Sequence, residues 1–169
     1  NILNNDGMVY AYEVDRKRYS LLLNNIEDFK CNNICSINKD FRKCNLKNIN
    51  KILIDAPCTG TGTIHRKPDI KIRREYKDLI KFTQLQFSLL NYAASIIEDN
   101  GTIVYSTCSI LKQENIEIIN KFLSQNKNFK IVNANKYIDN KYVDNVGALN
   151  IQPHIHSLDG MFAVRLEHK

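Results

Sequence analysis

The sequence predicts an α/β fold, in which helices cover the faces of a mostly parallel sheet. Short apolar, β-prone runs alternate along the chain with longer segments whose apolar residues recur at helical spacing. The chain has 169 residues, of which 43% are hydrophobic, and this is enough for one domain with a core of its own. No repeat or linker interrupts the pattern, so residues 1–169 are predicted to form a single domain.

Local signals place the individual elements. Strands are expected at 8–14, 33–37, 51–54, 102–107, 129–132 and 161–166. Helices are expected after Asp15, at 75–98 and at 113–125, and a turn is expected at Asp6-Gly7. Asp15 is a suitable helix N-cap, Pro57 cannot donate to a sheet ladder, and Asn100-Gly101 ends the long helix. Residues 133–157 show little periodicity and are predicted to be a loop.

The composition is that of a basic chain with several thiols. The formal charge of +6 gives weak support for a polyanionic partner such as a nucleic acid. No apolar run is long enough to span a bilayer and no signal-peptide pattern opens the chain, so we expect an intracellular protein without a membrane partner. The five cysteines form no Cys-x-x-Cys pair, which favours reduced thiols over a disulfide framework.

Two cysteines follow the ends of predicted strands. Cys58 comes after the strand 51–54 in the stretch Asp55-Ala56-Pro57-Cys58, and Cys108 comes after the strand 102–107. Ligands of open α/β sheets bind at the carboxyl ends of the strands. Either cysteine alone would suit a small buried core residue, whereas two at one edge favour a nucleophilic thiolate.

A metal site is the rival explanation for this cysteine pair. A zinc site needs further ligands, and His154 and His156 lie far along the chain. Because no tight cluster of cysteine and histidine supplies the missing ligands, the sequence predicts no metal. The remaining cysteines are predicted to be structural: Cys31, Cys35 and Cys44.

Two acidic residues follow the first two predicted strands. Glu13 ends the first strand, where nucleotide-binding α/β folds place an acid that accepts hydrogen bonds from ribose hydroxyls. The same position equally suits a carboxylate at the start of a helix, stabilised by the helix dipole. Asp40 follows the second strand and is a weaker candidate for accepting a hydrogen bond from an adenine amino group.

Two motifs resemble those of the Sun-type (RsmB-like) RNA cytosine-5 methyltransferases. The stretch DAPCTGTGTIHRKPDIK, from Asp55 to Lys71, closely resembles the Pro-Cys motif of that family. Ser106-Thr107-Cys108-Ser109, followed by Glu114-Asn115, resembles its Thr-Cys motif. The pairing of the two cysteine motifs is highly specific, because DNA cytosine-5 methyltransferases place their nucleophile in the Pro-Cys motif instead.

The resemblance extends over nearly the whole chain. Residues 11–18 look like the family's ribose-binding segment, with Glu13 where aspartate is more usual. Pro153-His154 and residues 159–163 are similar to its closing segment. This likeness implies a Rossmann-like class I methyltransferase sandwich. It also implies transfer of a methyl group from S-adenosylmethionine to carbon 5 of a cytosine in RNA.

The resemblance assigns a role to each candidate site residue. Cys108 is expected to be the nucleophile that attacks carbon 6 of the cytosine, and Cys58 is expected to assist elimination and release. Asp55 is expected to hydrogen-bond the amino edge or ring nitrogen 3 of the cytosine, and it is also a candidate cofactor-binding residue. Glu13 would hold the cofactor ribose and Asp40 its adenine.

The RNA itself is less closely defined by the sequence. Arg66, Lys67 and Lys71 are candidates for phosphate contacts, and a solvated charged face is the alternative. Since the base must leave its stack to reach both thiols, a single-stranded or loop cytosine is expected. The loop 65–71 looks bacterial in type and favours rRNA, with tRNA as the alternative.

One family feature is missing from this sequence. The family's glycine-rich motif and first strand should precede residue 1, so the chain looks like part of a catalytic domain. We therefore expect residues 1–169 alone to bind S-adenosylmethionine poorly, which isothermal titration would test. The missing motif also leaves open a second interpretation, a catalytically silent RNA-binding module that keeps the fold.

Overall fold

The computed structural model describes residues 7–169, and the turn expected at Asp6-Gly7 begins outside this range. The chain divides into two compact units, of which the first ends at Asn45 and the second runs from Leu46 to Lys169. Within the described residues, no helix combines the length and the apolar character that crossing a membrane would demand.

The first unit is a parallel β-α-β arrangement. Strands β1 (Val9–Tyr12) and β2 (Ile34–Ile37) pair in parallel and are connected by helix α1 (Arg16–Asp28). Asp15 caps α1 as predicted, since its carboxylate accepts a hydrogen bond of 2.9 Å from the backbone N–H of Arg18. The candidate acids Glu13 and Asp40 follow the carboxyl ends of the two parallel strands.

The second unit contains a five-stranded sheet. Its strands are β3 (Ile49–Asp55), β4 (Ile97–Thr107), β5 (Phe129–Val132), β6 (Leu149–Ile151) and β7 (Met161–His168). Their order is β3-β4-β7-β5, with β6 also paired to β7. Strand β7 runs against all of its neighbours, while the other strands share one direction. The sheet is therefore mostly parallel, as predicted, with one reversed strand that the sequence did not reveal.

Four helices accompany this sheet: α2 (Ile70–Arg73), α3 (Tyr76–Ile96), α4 (Ile116–Gln125) and α5 (Pro153–His156). Helix α3 buries Leu90, Ala93 and Ile96, and α4 buries Ile118, Ile119 and Phe122. These side chains share the core with Tyr105 of β4 and Phe162 of β7, which are also fully buried. The buried positions recur at helical spacing, so they mark the face of each helix that packs in the core.

The differences from the sequence-based expectation include the end of the long helix and the structure of residues 133–157. The long helix ends at Ile96 rather than Glu98, because the chain turns extended at Ile97 and becomes part of β4. Asn100, with a φ of 61°, then adopts the left-handed conformation next to Gly101. The loop predicted for 133–157 was wrong in part, since it contains β6 and α5, whose brevity left no periodic signal.

Candidate active site

The two strand-end cysteines meet at one edge of the second unit's sheet. Strands β3 and β4 are parallel neighbours, in a register that places Asp55 beside Ser106. The chain then continues from β3 to Cys58 and from β4 to Cys108. Their sulfur atoms lie 3.2 Å apart, with Cys108 exposed and Cys58 half-buried. Because parallel strands end at the same edge of a sheet, the residues that follow β3 and β4 lie close together.

This contact changes the acidity of both thiols in opposite directions. The hydrogen bond from the Cys58 thiol lowers the pKa of Cys108 to about 7. The same contact, together with burial, raises the pKa of Cys58 well above its ordinary value. Cys108 is therefore the thiol that ionises near neutral pH, which suits a nucleophile, and Cys58 remains protonated.

Asp55 and Cys108 line a common cavity of about 600 Å³. Thr107 and Arg66 also contribute to its wall, as do Asp159, which precedes β7, and Met161, the first residue of β7. The Asp55 carboxylate is close enough to Cys108 for its negative charge to oppose ionisation of the thiol. A polar planar molecule in this cavity would meet a carboxylate and a thiolate together.

Two glycines allow three segments to close around the cavity. The N–H of Gly62 donates to the carbonyl of Cys108 at 2.9 Å, and the N–H of Gly160 donates to the carbonyl of Gly62 at 2.8 Å. A Cβ on Gly62 would lie 2.8 Å from the Cys108 carbonyl oxygen and would overlap the backbone of Gly160. Only glycine permits this approach, so the loops after β3 and β4 and the turn before β7 are held as one structure.

The basic candidates lie on the loop and short helix that follow Cys58. Arg66 forms an ion pair with Asp159, and His65 Nε2 lies 3.2 Å from the same carboxylate. Lys67 and Lys71 are exposed, and the charge of Lys67 helps to lower the pKa of Cys108. Arg66 and Lys67 are thus close to the cavity, whereas Lys71 lies further along on α2.

The two predicted cofactor acids belong to the first unit. The Glu13 carboxylate accepts a hydrogen bond of 2.8 Å from the backbone N–H of Asp15 and lies 3.2 Å from Arg18. Asp40 pairs with Arg42 through both oxygens, and this guanidinium holds the pKa of Asp40 below its usual range. The roles of Glu13 and Asp40 in holding a cofactor remain predictions.

The structure also describes the other cysteines and the polar residues behind the site. Cys31 and Cys44 are partly exposed and Cys35 is exposed, and their structural role stays a prediction. No group of three metal-ligating side chains occurs within residues 7–169. The resemblance to the Thr-Cys motif includes Glu114 but assigns it no role, and nothing in the sequence indicates that Gln86 is buried.

Similar proteins are rRNA methyltransferases by name. Ribosomal RNA small subunit methyltransferase B of Photorhabdus laumondii is 30% identical over 164 residues, which cover 95% of this chain and 37% of that protein. The 28S rRNA (cytosine-C(5))-methyltransferase of Drosophila melanogaster is 29% identical over 179 residues, covering 99% of this chain and 41% of the fly protein. This chain therefore spans less than half the length of these relatives.

Solved structures and a family comparison agree with this likeness. The crystal structure of NSun6 from Pyrococcus horikoshii with SFG has a TM-score of 0.84 and 26% identity, and it matches 99% of this chain and 43% of NSun6. The family described as "16S rRNA methyltransferase RsmB/F" matches residues 1–167. Since that match extends over nearly every residue, the chain belongs to the RsmB/F methyltransferase family.

Proposed function

We propose that this protein methylates carbon 5 of a cytosine in RNA through a covalent adduct with Cys108. The observation that carries the proposal is the contact of 3.2 Å between the sulfur atoms of Cys58 and Cys108 beside the cavity lined by Asp55. Carbon 5 of cytosine is a poor nucleophile, and covalent catalysis divides its methylation into easier steps. The thiol with a pKa of about 7 is the one needed for attack.

The bonds change in a sequence that uses both thiols. The Cys108 thiolate forms a bond to carbon 6, and the electrons of the C5–C6 double bond move to carbon 5. Asp55 hydrogen-bonds the amino edge or ring nitrogen 3 and stabilises the protonated ring. Gain of the methyl group by carbon 5 would leave S-adenosylhomocysteine as the second product. The carbon-5 proton then passes to water, the C5–C6 double bond re-forms, and the electron pair of the bond from carbon 6 returns to Cys108 as a thiolate. Cys58 assists this elimination.

S-adenosylmethionine supplies the electrophilic methyl group when it is bound. Glu13 and Asp40 follow neighbouring parallel strands of the first unit, the position from which acids recognise a nucleoside in such folds. The relative NSun6 was solved with SFG, an analogue of this cofactor. Glu13 would exchange its contact with the Asp15 N–H for a ribose hydroxyl.

A trapping experiment on the complete natural protein tests the function. In the Cys58→Ala variant, incubation with RNA and S-adenosylmethionine should accumulate a protein–RNA adduct that survives denaturing electrophoresis, because elimination is impaired. The Cys58→Ala/Cys108→Ala double variant is the matched control and should trap nothing. Bound RNA without any adduct in Cys58→Ala would support a catalytically silent RNA-binding module.

Ribosomal RNA is the proposed substrate, because the relatives are named as rRNA methyltransferases. The same adduct assay should trap rRNA in preference to tRNA when both are present at equal concentration. Preferential trapping of tRNA would assign the protein to the alternative substrate class.

A further inference from the structure

Four residues flank the two cysteines, and buried polar side chains hold all of them. Pro57 and Thr59 flank Cys58, and Thr107 and Ser109 flank Cys108. Gln86, Glu114 and Asn115, whose exposed fractions are 0%, 0% and 5%, make these contacts. A buried polar side chain is costly unless it is hydrogen-bonded, so its presence here calls for a structural or functional reason.

Glu114, with help from Gln86, fixes both neighbours of Cys58. The Glu114 carboxylate accepts hydrogen bonds from the Thr59 N–H at 2.9 Å and from the Thr59 hydroxyl at 2.5 Å. Gln86 Nε2 donates to the Pro57 carbonyl at 2.9 Å and to Glu114 at 3.0 Å. The loop that carries Cys58 is therefore held on both sides of its thiol from within the core.

Asn115 makes the equivalent contacts around Cys108. Its Oδ1 accepts a hydrogen bond of 2.6 Å from the Thr107 hydroxyl, and its Nδ2 donates to the Ser109 carbonyl at 2.8 Å. Glu114 and Asn115 are consecutive in the chain, so one peptide bond connects the residue that holds the Cys58 loop to the residue that holds the Cys108 loop. Both loops that carry the thiols therefore depend on the same short stretch of backbone.

We propose that Glu114 and Asn115 are positioning residues, with Glu114 placing Cys58 for elimination and Asn115 placing Cys108 for attack. This inference rests on the proposed function for its kinetic consequences. The division of labour predicts opposite defects. Removal of the Glu114 side chain impairs release and lets the RNA adduct accumulate, whereas removal of the Asn115 side chain impairs formation of the adduct.

The spacing of the thiols can be measured without RNA. Phenylarsine oxide binds two thiols at once only when they are close together. Titration of the complete protein should show that Glu114→Ala and Asn115→Ala each weaken this binding about tenfold or more, as expected for displaced groups. Glu117→Ala, on the exposed side of α4, is the control and should bind phenylarsine oxide as the unaltered protein does.

The conservative Glu114→Gln variant separates positioning from general stability. Glutamine can accept from the Thr59 N–H and donate to its hydroxyl, so it should restore tight arsenical binding. Thr59→Val keeps the N–H contact with Glu114 and removes the hydroxyl, which contacts Glu114 at 2.5 Å and lies 3.4 Å from Ser109 and 3.5 Å from Thr61. It replaces Glu114→Ala as the test if that variant does not unfold cooperatively on heating. Thr59→Val should then weaken arsenical binding, and unchanged binding would overturn the proposal.

The adduct assay completes the test. Glu114→Ala should accumulate adduct as Cys58→Ala does, and Asn115→Ala should form little. Folded variants that share one defect, or that bind phenylarsine oxide normally, would overturn the proposal. If Cys58→Ala itself traps no RNA, the proposed function fails, and the arsenical titration still decides whether these residues set the spacing.

Discussion

At the scale of single residues, the hydrogen bond between the thiols determines which sulfur ionises near neutral pH. Cys58 donates to Cys108, which lowers the pKa of Cys108 to about 7 and raises that of Cys58. A thiol with a lowered pKa exists as thiolate above that pKa and is protonated below it. Reaction at Cys108 should therefore become faster as the pH rises through about 7.

This acidity can be measured by alkylation. The rate at which iodoacetamide modifies Cys108, followed by mass spectrometry, should reach half its maximum near pH 7. In Cys58→Ala the midpoint should move up toward the ordinary thiol value, because the donor is gone. Cys58→Ser keeps a hydroxyl donor and should retain a lowered midpoint. A midpoint near 7 in Cys58→Ala would show that another group acidifies Cys108.

The proximity of the two cysteines could be predicted from the sequence, whereas the buried hydrogen bonds that hold their loops could not. Cys58 and Cys108 each follow a β-prone run, and parallel strands share one carboxyl edge, so their proximity follows from the pattern. The contacts of Glu114 with Thr59 depend on two loops that meet only after folding. An acidic residue between Gln113 and Asn115 gives no local sign that it is buried.

At the scale of elements, the packing of α4 shows what periodicity can and cannot predict. The helical spacing of Ile116, Ile119 and Phe122 predicts that all three face inward. Ile119 and Phe122 are fully buried, whereas Ile116 is half-buried. The reversed direction of β7 and the short β6 were not expected, because strand direction is set by tertiary pairing rather than by local pattern.

The packing of α4 also provides a test of stability. Phe122 is fully buried and its ring lies 5.1 Å from that of Phe129 on β5. Phe122→Ala should lower the free energy of unfolding by about 3–5 kcal/mol, because less apolar surface is buried and a cavity is left behind. Urea denaturation measures this decrease, with Asn120→Ala on the exposed face of α4 as the control. A decrease no larger than that of the control would mean that α4 does not pack as described.

At the scale of the whole molecule, the net charge of +6 becomes relevant to RNA binding. Lys67 and Lys71 are exposed on the segment that follows the site. If both contact phosphates, Lys67→Ala/Lys71→Ala should weaken RNA binding. For single-stranded RNA, it should also reduce the slope of log affinity against log salt by about 0.7 for each phosphate that is no longer neutralised.

Fluorescence anisotropy with a labelled single-stranded RNA at several salt concentrations measures this slope. Lys127→Ala removes an exposed charge beyond α4 and is the matched control. Equal slopes for the double variant and the unaltered protein would assign Lys67 and Lys71 to a solvated charged face.

The prediction of one domain over residues 1–169 stays a prediction beside the two compact units that the structure describes.

The close approach of Gly62 and Gly160 has a consequence for how this gene can vary. Any missense change at either codon adds a side chain where main-chain atoms of the other segment already lie. The two codons are far apart in the reading frame, yet each is restricted to glycine by the backbone of the other segment. A saturation mutagenesis library under selection for function should therefore be depleted of every substitution at both positions, alanine included.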